Sequence, residues 1–261
     1  MKTRPNSPGP PVRPACGLAR ALSKLGFCSR SHAWDLIKSG RARVNGVLRR
    51  NPEWPVDLKQ DRLEVDGQTI QPERKVYLML NKPRGLVTTA ADERGRQTVF
   101  TCLQGKGFPP VMPVGRLDQA SEGLLLFTND TAWAARITDP ASGIEKTYHV
   151  QVNCVADEAL ARQLEAGSIC QGDRLKAKSA KVLRLGEKNS WLEIVLDEGK
   201  NRHIRRLLAS FGIEVLRLIR IQIGKLSLGD LGKGKVRELN EEEISISSRS
   251  SPISRRPKLR Y

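Results

Sequence analysis

The spacing of apolar residues changes character several times along the chain, and each change predicts an element. Leu18, Ala21, Leu22 and Leu25 recur at i, i+3, i+4 and i+7, the period of a short amphipathic helix. Gly26 follows at the position where a left-handed residue ends such a helix. Ser29 is placed to cap a second helix, with Ala33, Leu36 and Ile37 as its apolar stripe and Gly40 at its end. Residues 42–48 surround Asn45-Gly46, a strong hairpin signal. A further strand over 62–65 leads into a second turn at Asp66-Gly67, and polar residues with Pro72 then read as a linker.

Beyond residue 75 the apolar runs lengthen. A strand is predicted over 76–80, a turn over 81–85, a return strand over 86–89, a charged loop over 90–97 and a short helix over 99–103. Two apolar runs, 111–114 and 124–127, bracket a loop carrying Arg116, Asp118 and Glu122. A loop tied at both ends to strands can hold one side chain in a fixed place. A helix follows over 130–137, an alternating strand over 146–152, and a helix over 157–166 with Leu160 and Leu164 inward. A strand contains Trp191, Ile194 and Leu196. A helix carries Ile204, Leu207, Leu208 and Phe211 on one face and is closed by Gly212, and a strand spans 215–224. Hairpins instead of regular strand–helix–strand repeats predict an α+β fold, a small helix-and-hairpin domain plus a larger one with a mixed or mainly antiparallel sheet. The expected boundaries are a flexible basic arm over 1–16, the small domain over 17–70, a linker over 71–75, the larger domain over 76–240 and a disordered tail over 241–261.

Charge narrows the class of partner. The 261 residues include 45 Lys plus Arg against 28 Asp plus Glu, a formal net charge of +17, which calls for a polyanion. No apolar stretch approaches the roughly 18–20 residues that span a bilayer, and the N-terminus lacks the apolar core of a signal peptide, so nucleic acid is preferred over a membrane surface. The five cysteines are scattered and form no CxxC pair; they are expected to be reduced thiols in a cytoplasmic protein. The three histidines form no metal constellation, and no glycine-rich phosphate loop or dinucleotide fingerprint is present. The polar face of the small domain carries Arg20, Lys24, Arg30, Lys38, Arg41, Arg43, Arg49 and Arg50 with few acids between them. RNA contact through phosphates is favoured there over a merely solvated face, and such contact positions the RNA without reading its sequence.

Asp118 is the candidate reactive group. In an arbitrary loop it would cap a turn or pair with Arg116. The string GRLD followed by SEGLLLFTND, with NKPRG before it and KTY and EGKNRHIRR after it, closely resembles the motifs of RsuA-type pseudouridine synthases. LSKLGFCSRSHAWDLIKSGRARVNG similarly resembles an S4-type RNA-binding domain. The resemblance implies isomerisation of uridine to pseudouridine in ribosomal RNA or a ribosomal subunit precursor, by a monomer that needs no cofactor or metal. It implies Asp118 as the nucleophile acting on a flipped-out uridine, Tyr148 as the aromatic that stacks on the base, and Arg205 as the basic partner of the Asp. Arg116, Arg202 and His203 are then expected to contact RNA. Lys82 is counted with them, although NKPRG reads equally as an exposed basic turn. His203 and Leu207 depart from the family pattern, which most often has Gln and Met there. Two other readings compete. One is a catalytically inactive ribosome-associated RNA-binding protein. The other, weaker, is a hydrolase using Asp118 and Glu122.

Overall fold

Short local signals build the first part of the chain. The structure, a computed structural model, describes residues 16–90 and 92–247, and the chain divides into two units, Met1–Lys75 and Val76–Tyr261. The expected basic arm lies outside the described residues, apart from its last one. In the first unit β1 (Cys16–Gly17) leads into α1 (Leu18–Lys24), and α2 (Arg30–Lys38) is capped by Ser29, whose hydroxyl accepts from the His32 amide at 3.2 Å. β2 (Ala42–Val44) and β3 (Val47–Arg49) form the hairpin, with Asn45 and Gly46 both at positive φ as a two-residue turn requires. β4 (Pro55–Val56) pairs with β1, while β5 (Leu63–Val65) and β6 (Gln68–Thr69) complete a sheet of order β3-β2-β5-β6. Leu18, Leu22 and Ile37 are fully buried and pack against Val44 and Leu63.

The second unit is organised on one nine-stranded mixed sheet. Its strands are β7 (Tyr77–Lys82), β8 (Met112–Val114), β9 (Glu122–Thr128), β10 (Lys146–Val152), β13 (Ser179–Leu185), β14 (Ser190–Leu196), β15 (Val215–Ile223), β16 (Leu226–Ser227) and β17 (Val236–Glu238). The order is β13-β14-β10-β15-β9-β7-β17, with β16 on β15 and β8 on β9. A separate hairpin joins β11 (Ser168–Cys170) to β12 (Asp173–Leu175). α3 (Thr131–Thr138), α4 (Glu158–Ala166), α5 (His203–Ala209) and α6 (Glu241–Ser247) pack around the sheet, with Asp130 and Asp157 capping α3 and α4. Every residue of β9 is buried, which is why this stretch reads as a continuous apolar run. Leu124 and Leu126 face one core with Trp133 and Ile137, and Leu125 and Phe127 face another with Leu78 and Val99. No helix among the described residues is long and apolar enough to cross a membrane.

The halves of the sheet meet at one short parallel contact, Glu122 and Gly123 of β9 beside Ile219 and Arg220 of β15. Gly123 has φ +100°, and a Cβ there would sit 2.3 Å from the Arg220 carbonyl oxygen. The glycine lets the two backbones touch.

Two expectations are corrected. Residues 86–89 form no return strand. β7 is flanked by β9 and β17 instead, and Val87 makes only a single bridge to Thr98. β9 and β17, both distant in sequence, take the two hydrogen-bonding edges of β7, so neither edge is left for residues 86–89. The expected tail begins with a helix, α6. Asn240 and Glu243 cap it reciprocally, Glu243 N to Asn240 Oδ1 at 2.8 Å and Asn240 N to Glu243 Oε2 at 3.0 Å, and Arg237 grips the Glu243 carboxylate. The acidic run thus lies at the positive end of a helix. Residues 248–261 are outside the described residues.

Candidate active site

The loop between β8 and β9 is pinned through its backbone. Five consecutive carbonyls are occupied. Thr88 Oγ1 donates to Leu117 O at 2.7 Å, Lys82 Nζ to Asp118 O at 3.1 Å and to Ser121 O at 2.8 Å, the Gly85 amide to Gln119 O at 2.8 Å, and Arg205 Nη2 to Ala120 O at 3.2 Å. The Ser121 amide also returns to Asp118 O at 3.0 Å, and the Leu117 side chain is buried in the core beneath the loop. Each of these bonds orders the backbone and leaves the Asp118 side chain pointing outward. Its carboxylate is exposed and takes no side-chain hydrogen bond or ion pair among the described residues. It stands at a cleft of about 510 Å³, whose lining includes Arg116, Tyr148, Arg202, Ile204 and Arg205.

Each side of the cleft comes from a different element. Tyr148, on β10, is half-buried, with its ring packed against Leu and Val side chains of the two cores it borders. Arg205 projects from α5. Besides Ala120 O it donates through Nη1 to Val215 O at 3.2 Å, so it ties the helix to both the loop and β15. Burial pulls its pKa below the ordinary arginine value, and the negative charge of Asp118 partly offsets this. The guanidinium therefore lies in the field of Asp118 without forming a contact ion pair. Arg116 and Arg202 are exposed at the rim, and Arg202 opens α5 in a left-handed conformation with φ +47°.

One expected RNA contact, Lys82, is corrected, and a second, His203, is nearly buried. Lys82 is fully buried and does not line the cleft. Its ammonium lies beneath the loop, on the carbonyls of Pro83, Asp118 and Ser121 at 2.8–3.2 Å. Burial lowers its pKa to about 8 against the opposing pull of Asp118 and Glu122. A cation inside a protein needs oxygen acceptors, and a loop rich in unpaired carbonyls supplies them. His203 is also interior, with its side chain 2% exposed, Nε2 at 3.1 Å from the Lys176 carbonyl and Nδ1 at 3.6 Å from Glu198. Burial pushes its pKa down. It lines the wall of the cleft while almost wholly buried.

Glu122 is no second free acid. It is buried, bound by Arg217 at 3.0 and 3.1 Å and by Lys233 at 2.7 Å. Burial raises its pKa, but these cations outweigh burial and hold it below the usual range. The pairing of Asp118 with Glu122 for hydrolysis is thereby removed. Sequence reasoning passed over Lys146 and Arg220, which also line the cleft. Lys146 stands inside the KTY string, and Arg220 is a cation within the apolar run of β15; a charge in an otherwise buried strand was the available signal.

In the first unit Arg20, Arg30, Lys38 and Arg43 are exposed. Lys38 Nζ lies 5.9 Å from the ring of Trp34, itself 45% exposed. Arg41 is exposed but is already engaged by Asp66 in a two-pronged ion pair.

Comparison with known proteins places these features in a family. A family model described as RNA pseudouridylate synthase matches residues 76–210, and one described as S4 domain matches residues 16–63. An uncharacterised RNA pseudouridine synthase of Rickettsia prowazekii is 40% identical over 228 residues, covering 87% of this chain and 95% of the relative. The ribosomal large subunit pseudouridine synthase B of Bacillus subtilis is 36% identical over 231 residues, covering 87% and 93%. A crystal structure of a pseudouridylate synthase superposes with a TM-score of 0.62 at 28% identity, covering 89% of this chain and 99% of that one.

Proposed function

The chain belongs to the RNA pseudouridylate synthase family, and from that membership we propose that it isomerises a uridine of ribosomal RNA with Asp118 as its nucleophile. Its reaction class is the conversion of uridine to pseudouridine within RNA. The N1–C1′ bond breaks, the base turns, C5 bonds to C1′, the C5 proton leaves and N1 takes up a proton. The glycosidic bond is out of reach in a stacked helix, so the uridine enters the cleft flipped out.

The support is the loop itself. Five successive carbonyls are tethered while the Asp118 carboxylate is left free at the cleft. A protein that only bound RNA would gain nothing from such an arrangement. In this reading Asp118 acts on the ribose, Tyr148 stacks on the extruded base, and Arg205 holds the loop that carries Asp118. Arg116 and Arg202 at the rim meet the flanking phosphates, and the S4 unit adds contacts through Arg20, Arg30, Lys38 and Arg43. Ribosomal RNA is favoured as substrate because the Bacillus subtilis relative bears that assignment in its name. We further propose a cytoplasmic monomer, its scattered cysteines kept as reduced thiols.

Mapping pseudouridine in ribosomal RNA from cells with and without the protein identifies the target. On that RNA, Asp118→Asn is expected to keep fold and affinity while the single-turnover rate falls about 10³-fold or more. Substantial turnover by the purified variant would refute the assignment, and a native protein that forms no pseudouridine on any ribosomal RNA would favour an inactive RNA binder.

A further inference from the structure

The deepest part of the cleft holds two cations that no carboxylate pairs with among the described residues. Arg220 is 6% exposed. Its Nε donates to Leu124 O at 2.8 Å, its Nη2 is buried without a partner, and no carboxylate pairs with it among the described residues. A guanidinium has five N–H donors, and burying them unsatisfied is costly. Lys146 lines the same cleft, half-buried, and makes no hydrogen bond or ion pair with the described residues. Burial and the charge of Arg220 both push its pKa down, while Asp197 pulls the other way. Two like charges are thus held together under a partly desolvated cleft, beside Tyr148, the cross-strand partner of Arg220.

Resting on the reading above, we infer that Arg220 and Lys146 donate to a carbonyl oxygen of the flipped uracil and hold the charge it gains. As the N1–C1′ bond breaks, its electron pair passes to the base, and the negative charge spreads over N1, O2 and O4. Donors already fixed at those oxygens favour that state over the neutral uridine. The interior site belongs to the base and not to a phosphate. Arg220 is buried in β15, Leu196, Ile204 and Leu218 line the cleft with it, and Arg116, Lys200 and Arg202 are exposed cations at the rim. The negative partner that these two cations lack among the described residues is then supplied by the departing base.

The test uses the full chain and a short RNA containing the mapped target, with uridine, 2-thiouridine or 4-thiouridine at that position. Sulfur accepts hydrogen bonds weakly, so the native enzyme should be slowed about tenfold by sulfur at the bound oxygen. Arg220→Met and Lys146→Met should each lower the single-turnover rate on uridine about 10- to 100-fold at saturating RNA, with RNA affinity changed little. The sulfur effect should then nearly vanish in at least one variant, because the interaction it probes is already gone. A merely structural role would slow all three RNAs alike and leave the sulfur effect intact. The inference is overturned if both variants retain the native sulfur effect, or if they lose RNA affinity without loss of rate, which would mark a phosphate clamp. Lys146→Met keeps the test valid should Arg220→Met fail to fold. A native enzyme that converts no uridine would instead overturn the reading of the whole site, and this inference with it.

Discussion

Lys82 shapes the site without facing the substrate. Its ammonium holds the carbonyls at the two ends of the Asp118–Ser121 turn, so its protonation state is coupled to the position of the carboxylate. Burial lowers its pKa to about 8 from 10.5, with Asp118, Glu122 and Cys102 opposing. Above pH 8 the folded protein releases this proton while the unfolded chain keeps it up to its ordinary pKa. The unfolded state therefore holds more protons in that window, and the contribution of this group to stability rises with pH. Its grip on the loop moves the other way, since a neutral amine has one donor fewer. Single-turnover rates should decline as pH rises through about 8, with no matching fall in melting temperature. Parallel rate and unfolding profiles check this, and the decline should survive in Lys146→Met. A flat rate profile well above pH 8 would show that the loop does not depend on the charge.

Two elements set the geometry around that loop, the start of β9 and helix α5. At the β9–β15 contact, Gly123→Ala would place a Cβ 2.3 Å from a backbone oxygen at φ +100°. The expected loss of stability is about 3 kcal/mol or more. Gly46→Ala, also at positive φ but with no atom within 4 Å, is expected to lose only about 1–2 kcal/mol. Denaturant midpoints of the two variants separate the clash from the conformational strain. On α5, Arg205 and Arg206 are neighbours with different tasks. Arg205 bonds to Ala120 of the loop, whereas Arg206 bonds to Cys170 O and Asp173 of the β11–β12 hairpin. Arg205→Ala should cut the single-turnover rate by about 10²-fold with a small change in melting temperature. Arg206→Ala should do the reverse, lowering the melting temperature and sparing the rate. Equal rate losses would reduce the pair to a basic patch.

At the scale of the molecule, the two units have separate cores. Every buried residue clustered with Leu22 lies before Val76, and the three clusters around the large sheet lie wholly after Lys75. A protein lacking residues 1–75 should therefore fold. If the S4 unit recruits RNA through phosphates, its removal should weaken binding and flatten the dependence of affinity on salt, because fewer counterions are released. The maximal single-turnover rate should change much less, since the cleft is intact. Titrations over salt and RNA concentration check both quantities. A collapsed maximal rate with an unchanged salt slope would mean that the first unit helps to build the active site.

The chain alone determined what local chemistry controls. The period of Leu18, Leu22 and Leu25 marked a helix, Asn45-Gly46 and Asp66-Gly67 marked the turns, and the apolar run after Gly123 marked a buried strand. These signals lie within a few residues of what they specify, and the short strings that carry the family resemblance singled out Asp118, Tyr148 and Arg205, which the structure brings to one cleft. Helix α6 was also local, written in Asn240 and Glu243, but the acidic run was read as solvated tail instead of as a helix start. The rest was decided by contacts over long stretches of chain. Lys82 is buried because the β8–β9 loop, 36 to 39 residues away, closes over it with its carbonyls. Arg220 is interior because β15 lies against β9, 96 residues back. In the sequence a cation that meets RNA and one that holds a loop look alike. Only the pairing of β7, β9 and β15 decides which of them keeps its water.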